Sequence, residues 1–412
     1  MTKAMRRNFT LLAVDAVFFF ITLSLAGHDN VLPLFAAGLT TSAPLIGLVP
    51  AIALGLWVVP QVLLAGWVQR QADKWRVMAL SMLGRLGMVA ITAACFSSPL
   101  ASRPGVLLTL FLALFAVYMA SDGLIVIALA DMLPRLLPER ERVRLFAVTQ
   151  VITGLLGLLA GGMVSWALTN PNWPFPRNYG VLLALSSVAL LVSAIALLLL
   201  PRTPTPTRAP RAAAYAVAWR DQRFRRMVLS QLLSSGVWLA APFFGVHATQ
   251  QLALPNNIAG LFVVASSVGY IVASLTLGLI GERRGLHWII RCGSAVVVTS
   301  PLVALAAGIA GHASPPVYAL VFVGIGVFNS LRMLGFRNYV FAVAPEELRP
   351  TYVGLANGIV GLAAVMPVLG GWLLEATSYS ALFALAALCG AAGFGLSLTL
   401  PHVTTQVAPE AS

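Results

Sequence analysis

The chain has 412 residues, of which 59% are hydrophobic and only 9% are charged, and its mean hydropathy is +0.89. Soluble domains carry about 25% charged residues, so the composition excludes a soluble globular protein and indicates a polytopic membrane protein. The net charge of +13 arises from basic residues scattered between apolar stretches. Because no basic groove can be assembled from them, no nucleic-acid partner is expected.

Twelve apolar spans divide the chain, each close to the length of helix, about 20 residues, that crosses a bilayer. They are predicted at about 8–34, 43–68, 77–96, 105–132, 145–168, 179–200, 228–248, 258–281, 288–311, 317–343, 351–374 and 381–400. The fold predicted from them is an all-α membrane protein with twelve transmembrane helices. Asp15 interrupts the first apolar run, so this run is expected to be a retained span and not a cleaved signal peptide.

Basic residues predict the orientation of these spans. Twenty of the 26 Lys and Arg residues fall in the termini and loops on one side of the predicted membrane, and only Arg103 and Arg177 fall in the loops on the other side. Loops that carry the excess of Lys and Arg are cytoplasmic. Both termini and the Arg-rich segment 201–227 are therefore predicted to lie in the cytoplasm, with the protein in the cell (inner) membrane.

An internal repeat relates the two halves of the chain. Four features recur in order at offsets of 207 to 212 positions: Pro33-Leu34-Phe35 as Pro242-Phe243-Phe244, Gly66 as Gly278, Asp131 as Asn338, and Gly161-Gly162 as Gly370-Gly371. The repeat predicts two pseudo-symmetric six-helix bundles. The predicted division is an N-terminal bundle at 1–200, a cytoplasmic basic linker at 201–227, a C-terminal bundle at 228–402 and a tail at 403–412.

The loop after span 8 contains Gly278-Leu-Ile-Gly-Glu282-Arg283-Arg284-Gly285. This segment resembles the Gly-xxx-Asp-Arg-x-Gly signature of the major facilitator superfamily, which also places a copy after span 2. The first copy begins at Gly66, but Arg70 occupies its acidic position and the nearest acid is Asp73. The resemblance implies transport by alternating access and a cytoplasmic gate at Gly66, Asp73, Gly278, Glu282, Arg283 and Gly285. The span 4 arginine and span 5 proline of the family's drug:proton antiporters are absent, which weakens that particular assignment.

Charged residues inside predicted spans are the main candidates for function, because such groups are costly in a membrane. Asp122 lies near the centre of span 4 without a basic neighbour on its own helix, and it is the favoured proton carrier. Arg332 lies at a similar depth in span 10, one turn from Asn329. Arg332 is expected either to pair with Asp122 or to receive an anionic group of the substrate. A structural role in helix packing is the alternative for both charges.

Weaker candidates lie elsewhere in the spans. His28 and Asp29, near the outer end of span 1, form either a gate or an interfacial polar cap, and Trp238 beside Pro242 in span 7 forms either a binding wall or a packing contact. The remaining charges in the spans are expected to be structural: Asp15, Arg85, Arg291 and Arg337. No phosphate-binding loop, metal-ligand spacing or nucleophile elbow is present in the sequence, so no enzyme activity, cofactor or bound metal is expected.

The predicted function is secondary active transport of a small organic solute, driven by a proton gradient and directed towards efflux. Two alternatives remain open. One is an uptake permease for an organic anion or another polar solute, and the other is a transporter-like sensor or scaffold that moves nothing. The expected partners are the solute and the lipid bilayer, and the protein is expected to act as a monomer.

Overall fold

A computed structural model describes residues 2–202, 215–345 and 348–402, which form helices joined by turns. In these described ranges, twelve helices are long and apolar enough to cross a membrane: α1 (Lys3–Leu25), α2 (Ala43–Leu63), α3 (Lys74–Phe96), α4 (Pro104–Leu136), α5 (Glu139–Thr169), α6 (Arg177–Leu198), α7 (Gln222–Gln250), α8 (Ile258–Arg284), α9 (Leu286–Ala310), α10 (Pro315–Val343), α11 (Thr351–Ala376) and α12 (Tyr379–Ser397). The predicted all-helical membrane fold is confirmed.

Internal packing divides the chain into two compact units. One comprises Met1–Arg211 with Ala253–Val264, and the other comprises Ala212–Leu252 with Ala265–Ser412. Residues 203–214 of the predicted linker and the tail 403–412 lie outside the described residues. The predicted domain boundaries stay a prediction.

The start of α7 lies six residues before the predicted span 7, because an acidic residue caps it. The carboxylate of Asp221 accepts hydrogen bonds from the backbone N–H groups of Arg223 and Phe224, at 2.9 and 3.5 Å. Such a cap satisfies donors that the first turn of a helix leaves without partners. A short helix, Tyr215–Arg220, precedes the cap.

The first unit is built around α1, α3, α4 and α6. Helix α1 packs along α6, and α3 packs against both α4 and α6. Leu12, Met78, Met132 and Leu197 are members of a buried apolar cluster that joins these four helices. Side chains on the outside of the helices are apolar and exposed, as at Leu63, which is the behaviour expected of a surface that faces lipid.

The first predicted span is shorter than its apolar run suggests. Helix α1 ends at Leu25, the chain turns, and a separate short helix runs from Val31 to Ala37. Asn30 starts that second helix, since its side-chain oxygen accepts a hydrogen bond from the N–H of Val31 at 2.7 Å. His28 and Asp29 therefore lie in a turn and not within a continuous membrane helix.

Several helices of the second unit contain irregular turns. Helix α7 has a 3₁₀ turn at Ser235–Leu239, which ends three residues before Pro242, and α11 has one at Leu362–Val365. Helix α10 contains a π turn at Arg332–Phe336. Proline removes one backbone donor and distorts the preceding turn, which explains the break in α7. Single π turns in helices are common at functional sites, and this one carries Arg332.

Close packing between α7 and α11 leads to a first prediction. A methyl group at Gly370 would overlap the carbonyl oxygen of Leu239, whereas one at Gly354, on the same helix, would meet nothing within 4 Å. We expect Gly370→Ala to destabilise the protein by about 1–3 kcal/mol through overpacking, and Gly354→Ala to be neutral or mildly stabilising. Thermal unfolding of the two purified variants, followed by tryptophan fluorescence, tests this. Equal midpoints for the two variants would contradict the prediction.

Candidate functional site

Asp122 of α4 is paired with an arginine inside the first unit. The Nε and Nη2 atoms of Arg85 donate hydrogen bonds to Oδ1 of Asp122 at 3.1 and 3.0 Å. Both residues are almost fully buried, with 3% of Arg85 and 2% of Asp122 exposed. The sequence offered Arg332 as one partner for this carboxylate, but the structure places Arg85 against it instead.

A second carboxylate reaches the same guanidinium through a serine. Nη1 of Arg85 donates to Oγ of Ser193 at 2.7 Å, and the Ser193 hydroxyl donates to Oδ1 of Asp15 at 2.5 Å. Nη1 also contacts the carbonyl oxygen of Leu190 at 3.4 Å, and the guanidinium lies 5.8 Å from the centre of the Phe19 ring. We call Asp15, Arg85, Asp122 and Ser193 the Arg85 cluster. It joins α1, α3, α4 and α6.

The Arg85 cluster contains two carboxyl groups and one permanent positive charge. An arginine side chain remains protonated in proteins, so the cluster carries one net negative charge when both Asp15 and Asp122 are ionised. Binding of one proton to either carboxyl group makes the cluster neutral. The net charge of the cluster therefore depends on whether one of its two carboxyl groups is protonated.

The position of Arg85 depends on tight contact between α3 and α4. A 3₁₀ turn at Met82–Arg85 interrupts α3, and glycines lie on both sides of the arginine along the chain. A methyl group at Gly84 would overlap the side chain of Ser121, and one at Gly87 would come within 2.8 Å of the Leu114 carbonyl oxygen. Small residues at such crossings let membrane helices approach closely. The approach brings Arg85 against α4 at the level of Asp122.

Tyr118 adds a buried polar group on the same helix as Asp122, one turn earlier. Its side chain is 1% exposed, and its hydroxyl makes no hydrogen bond among the described residues. A buried hydroxyl without a partner costs free energy. It is therefore a natural contact for a water molecule or a solute hydroxyl beside the Arg85 cluster.

The predicted candidates of the second unit form a separate arrangement. The guanidinium of Arg332 lies over the indole ring of Trp238, 4.7 Å from its centre, and Phe328 meets the same indole edge to face at 5.5 Å. Trp238 is buried, while Arg332 and Asn329 are half-buried. The irregular turns of α7 and α10 thus bring Arg332 and Trp238 into direct contact.

The outer turn after α1 holds the predicted pair His28 and Asp29. Nδ1 of His28 lies 2.8 Å from Oδ1 of Asp29, and both side chains are partly exposed. Such a local pair fits an interfacial cap as well as a gate.

The first loop motif is held by local contacts. Asp73 caps α3 through the N–H of Arg76 and forms an ion pair with the same side chain at 3.0 Å. Arg70, at the position where the family has an acid, donates to the carbonyl oxygen of Gly66 at 3.1 Å. The link to α4 is made by Lys74, whose Nζ lies 3.0 Å from Oδ2 of Asp131.

Mutation of Lys74 and mutation of Asp131 are expected to change the stability of the protein by unequal amounts. Lys74 is 3% exposed and Asp131 is 39% exposed, so water can solvate the acid alone but not the buried base. We expect Asp131→Asn to cost about 1–3 kcal/mol, because it leaves a buried charge without its partner, and Lys74→Met to cost little. Arg76→Gln, which breaks an exposed pair, is the control and should change stability by less than about 1 kcal/mol. Thermal unfolding midpoints that rank Lys74→Met below Asp131→Asn would overturn this assignment.

The second loop motif connects α8 to α9. Glu282 and Arg283 are exposed, and neither forms an ion pair within the described part of the chain. Gly285 has a φ of 89°, a conformation that only glycine adopts easily, so it makes the sharp turn between the helices. Gly278 has open space beside its Cα. Whether either motif gates the protein stays a prediction.

Sequence reasoning assigned Arg85 and Asp15 a structural role and did not connect them with Asp122. Their one signal was that they are charged residues within apolar spans, at comparable depth. Ser193 gave no signal, because serine is frequent in membrane helices. The cluster became visible only once the packing of α1, α3, α4 and α6 was known.

Residues 227–411 match the sequence model of the Major Facilitator Superfamily. A Deinococcus radiodurans protein provisionally named a sugar efflux transporter is 28% identical over 194 residues, which cover 44% of this chain and 47% of that protein. The aligned stretch therefore spans about half the length of this curated relative.

Two solved structures share the fold over nearly the full chain. A D-xylose–proton symporter has a TM-score of 0.70 at 13% identity, covering 97% of this chain and 99% of the other. A bacterial homologue of the iron transporter ferroportin, in its inward-facing state, has a TM-score of 0.69 at 14% identity with the same coverage. The fold is that of a multi-pass membrane protein, with twelve candidate spans in the described ranges. The sequence similarity to the Major Facilitator Superfamily covers residues 227–411, which is less than half of the chain, and the two solved structures, at 13% and 14% identity, are similar to it in fold alone.

Proposed function

We propose that this protein is a secondary active transporter that moves a small organic solute by alternating access and is driven by protons. The Arg85 cluster is the observation that carries the proposal, because it places two carboxyl groups on one guanidinium in a buried site. Ionisable groups inside a membrane protein are expensive, and a functional role is their default explanation.

Proton coupling needs a site whose loading changes the conformation that is favoured. In the Arg85 cluster, Asp122 contacts the guanidinium directly, while Asp15 contacts it through Ser193. When Asp122 binds a proton, Arg85 loses its direct partner and Asp15 becomes the nearest negative charge. The shift moves an ion pair from α4 towards α1, which gives the first unit two arrangements that differ by one proton.

A sugar is the first substrate class to test, and export is the first direction. The support is the name of the Deinococcus radiodurans relative, which is similar over 44% of this chain. A sugar is uncharged and rich in hydroxyl groups, so it needs hydrogen-bonding partners and no counter-charge. The buried Tyr118 hydroxyl beside the Arg85 cluster is one candidate partner.

An organic anion is the second candidate substrate, supported by Arg332. A guanidinium can bind a planar anion such as a carboxylate through two parallel N–H groups, and stacking on an indole ring orients it. Arg332 lies on the π turn of α10, over Trp238. Under this alternative Arg332, Asn329 and Trp238 contact the anionic group.

We also propose a location, an oligomeric state and a gate for the protein. The protein lies in the cell (inner) membrane with both termini in the cytoplasm, as the distribution of basic residues predicts. It acts as a monomer without a cofactor, and the two loop motifs gate the cytoplasmic side.

Transport assays in proteoliposomes test the proposal. The purified full-length chain is reconstituted with a pH-sensitive dye inside, and pentoses, hexoses, disaccharides and sugar acids are added in turn. A proton flux that depends on one of these solutes and disappears with a protonophore is the expected result. A flux with neutral sugars supports the first candidate, and a flux with sugar acids alone supports the second. Proteoliposomes that move neither protons nor labelled solute in any arm would favour the sensor or scaffold alternative.

A further inference from the structure

The second unit contains a cavity of about 400 Å³ between the end of α8 and the start of α9. The side chains that surround it combine positive charge with apolar surface: Leu279, Ile280, Arg283, Arg284, Trp288 and Cys292. A cavity of this size is large enough for a small ligand. The proton and substrate sites proposed above do not include this cavity, although Arg283 is also part of the second loop motif.

Two arginines line this cavity, and a third lies close to its tryptophan. The guanidinium of Arg284 lies 5.2 Å from the centre of the Trp288 ring, and that of Arg291 lies 5.5 Å from the same ring. In the described residues, neither Arg283 nor Arg284 forms an ion pair with a carboxylate. The cavity therefore favours an anion, since arginine binds phosphate through two parallel N–H groups.

Arg291 binds backbone carbonyl groups near the end of α12. Its guanidinium donates to the carbonyl oxygens of Ser397, Leu398 and Leu400, at 3.4, 2.9 and 3.0 Å. These carbonyls belong to the last residue of α12 and to the residues that follow it, where backbone carbonyl groups at a helix end lack partners within the helix. Arg291 is thus held in place by α12, and Arg283 and Arg284 are left to meet a ligand.

A continuous apolar stripe on α8 leads to the cavity. Val268, Val272, Leu275 and Leu279 follow one another at helical spacing, and they are 40%, 52%, 65% and 55% exposed. Arg283 lies one turn beyond Leu279 on the same helix. Exposed aliphatic side chains in a membrane helix contact acyl chains, so the stripe and the two arginines match the two parts of a phospholipid.

The turn between α8 and α9 keeps this arrangement compact. Gly285, with its positive φ, reverses the chain between Arg284 and Trp288. A methyl group at Gly281 would overlap the side chain of Ile289, so α8 and α9 are in close contact there. The cavity is a feature of packed helices and not of a loose loop.

We infer that this cavity binds the headgroup of an anionic phospholipid, with its phosphate between Arg283 and Arg284 and an acyl chain along the apolar stripe of α8. Basic pockets between membrane helices are suited to such headgroups, and tryptophan favours the level of the membrane interface. The apolar stripe favours a lipid over a free anion, because a soluble phosphate gains nothing from it. The inference does not depend on transport.

Native mass spectrometry of the full-length protein, released from nanodiscs with equal phosphatidylglycerol and phosphatidylcholine, tests the inference. The wild type should retain phosphatidylglycerol preferentially, and Arg284→Gln should reduce that preference about fivefold, the factor expected for one arginine near the membrane surface. Arg140→Gln removes the same charge from an exposed site on the same predicted side and should leave the preference unchanged. Equal losses in the two variants would overturn the inference, as would displacement of the lipid by inorganic phosphate.

A second measurement needs no substitution. Cys292 lines the cavity, whereas Cys389 packs against Gly236 and serves as an internal reference. In nanodiscs that contain phosphatidylglycerol, the rate of Cys292 alkylation by N-ethylmaleimide should fall at least about twofold relative to phosphatidylcholine alone, because occupancy protects the thiol. Peptide mass spectrometry reports both cysteines at once. An unchanged Cys292 to Cys389 ratio would show that the cavity holds no anionic lipid.

Discussion

Replacing Asp122 with Asn is expected to abolish proton-driven accumulation of the solute while leaving passive exchange intact. For a transporter that couples one proton to one solute, a pH difference of one unit supports about a tenfold solute gradient, since both correspond to 1.4 kcal/mol. The variant cannot release a proton at position 122, so its gradient should fall to one. Arg85 keeps a negative partner in Asp15 through Ser193, which should allow the variant to fold.

The assay compares uptake under a pH gradient with counterflow at equal pH, using whichever solute produces proton flux. Glu139→Gln serves as the control, because it removes an exposed carboxylate outside the Arg85 cluster. Asp15→Asn should also impair accumulation, since it removes the second position for negative charge. If Asp122→Asn accumulates solute as the wild type does, Asp122 does not carry the proton.

Replacing Arg85 with Met is expected to destabilise the protein strongly. The change leaves the carboxylates of Asp15 and Asp122 without the cation that they share. Breaking a buried ion pair by removing one partner costs about 3–5 kcal/mol. The loss should be greatest at neutral and alkaline pH. It should shrink at acidic pH, where protons neutralise the carboxyl groups in place of the guanidinium.

A double variant separates the effect of charge from the effect of packing. Arg85→Met with Asp122→Leu removes both members of the pair and should regain much of the lost stability, but not proton-driven transport. Arg103→Gln, at an exposed position, is the control for loss of one positive charge. Thermal unfolding of the purified variants from pH 5 to pH 8 provides the comparison. An Arg85→Met protein as stable as the wild type throughout this range would show that the pair is dispensable for folding.

Features that depend on one helix alone were predicted correctly from the sequence. The number of spans and the all-helical class depend on local apolar length, and the structure bears them out. The broken α7 was also predictable, because Pro242 distorts its own helix. The end of α1 was not, since the apolar run continues through Ala26 and Gly27 and the turn is stabilised by Asn30.

Partners of the charged side chains could not be predicted in the same way. Asp122 and Arg332 were compared because they lie at similar depth in repeat-related spans, and depth says nothing about which helices touch. Lys74 lies between predicted spans 2 and 3 and Asp131 lies at the end of predicted span 4, and only the fold showed that they pair.

The sequence by itself thus determined that this is a membrane protein of twelve spans and that Asp122 is an unusual residue. These properties follow from the cost of placing polar groups in hydrocarbon, which acts on each segment separately. Tertiary structure decided that Asp122 meets Arg85 and shares it with Asp15. The reason is that contacts between α1, α3, α4 and α6 depend on small residues such as Gly84 and Gly87 at helix crossings, and their fit becomes visible only when the helices are packed.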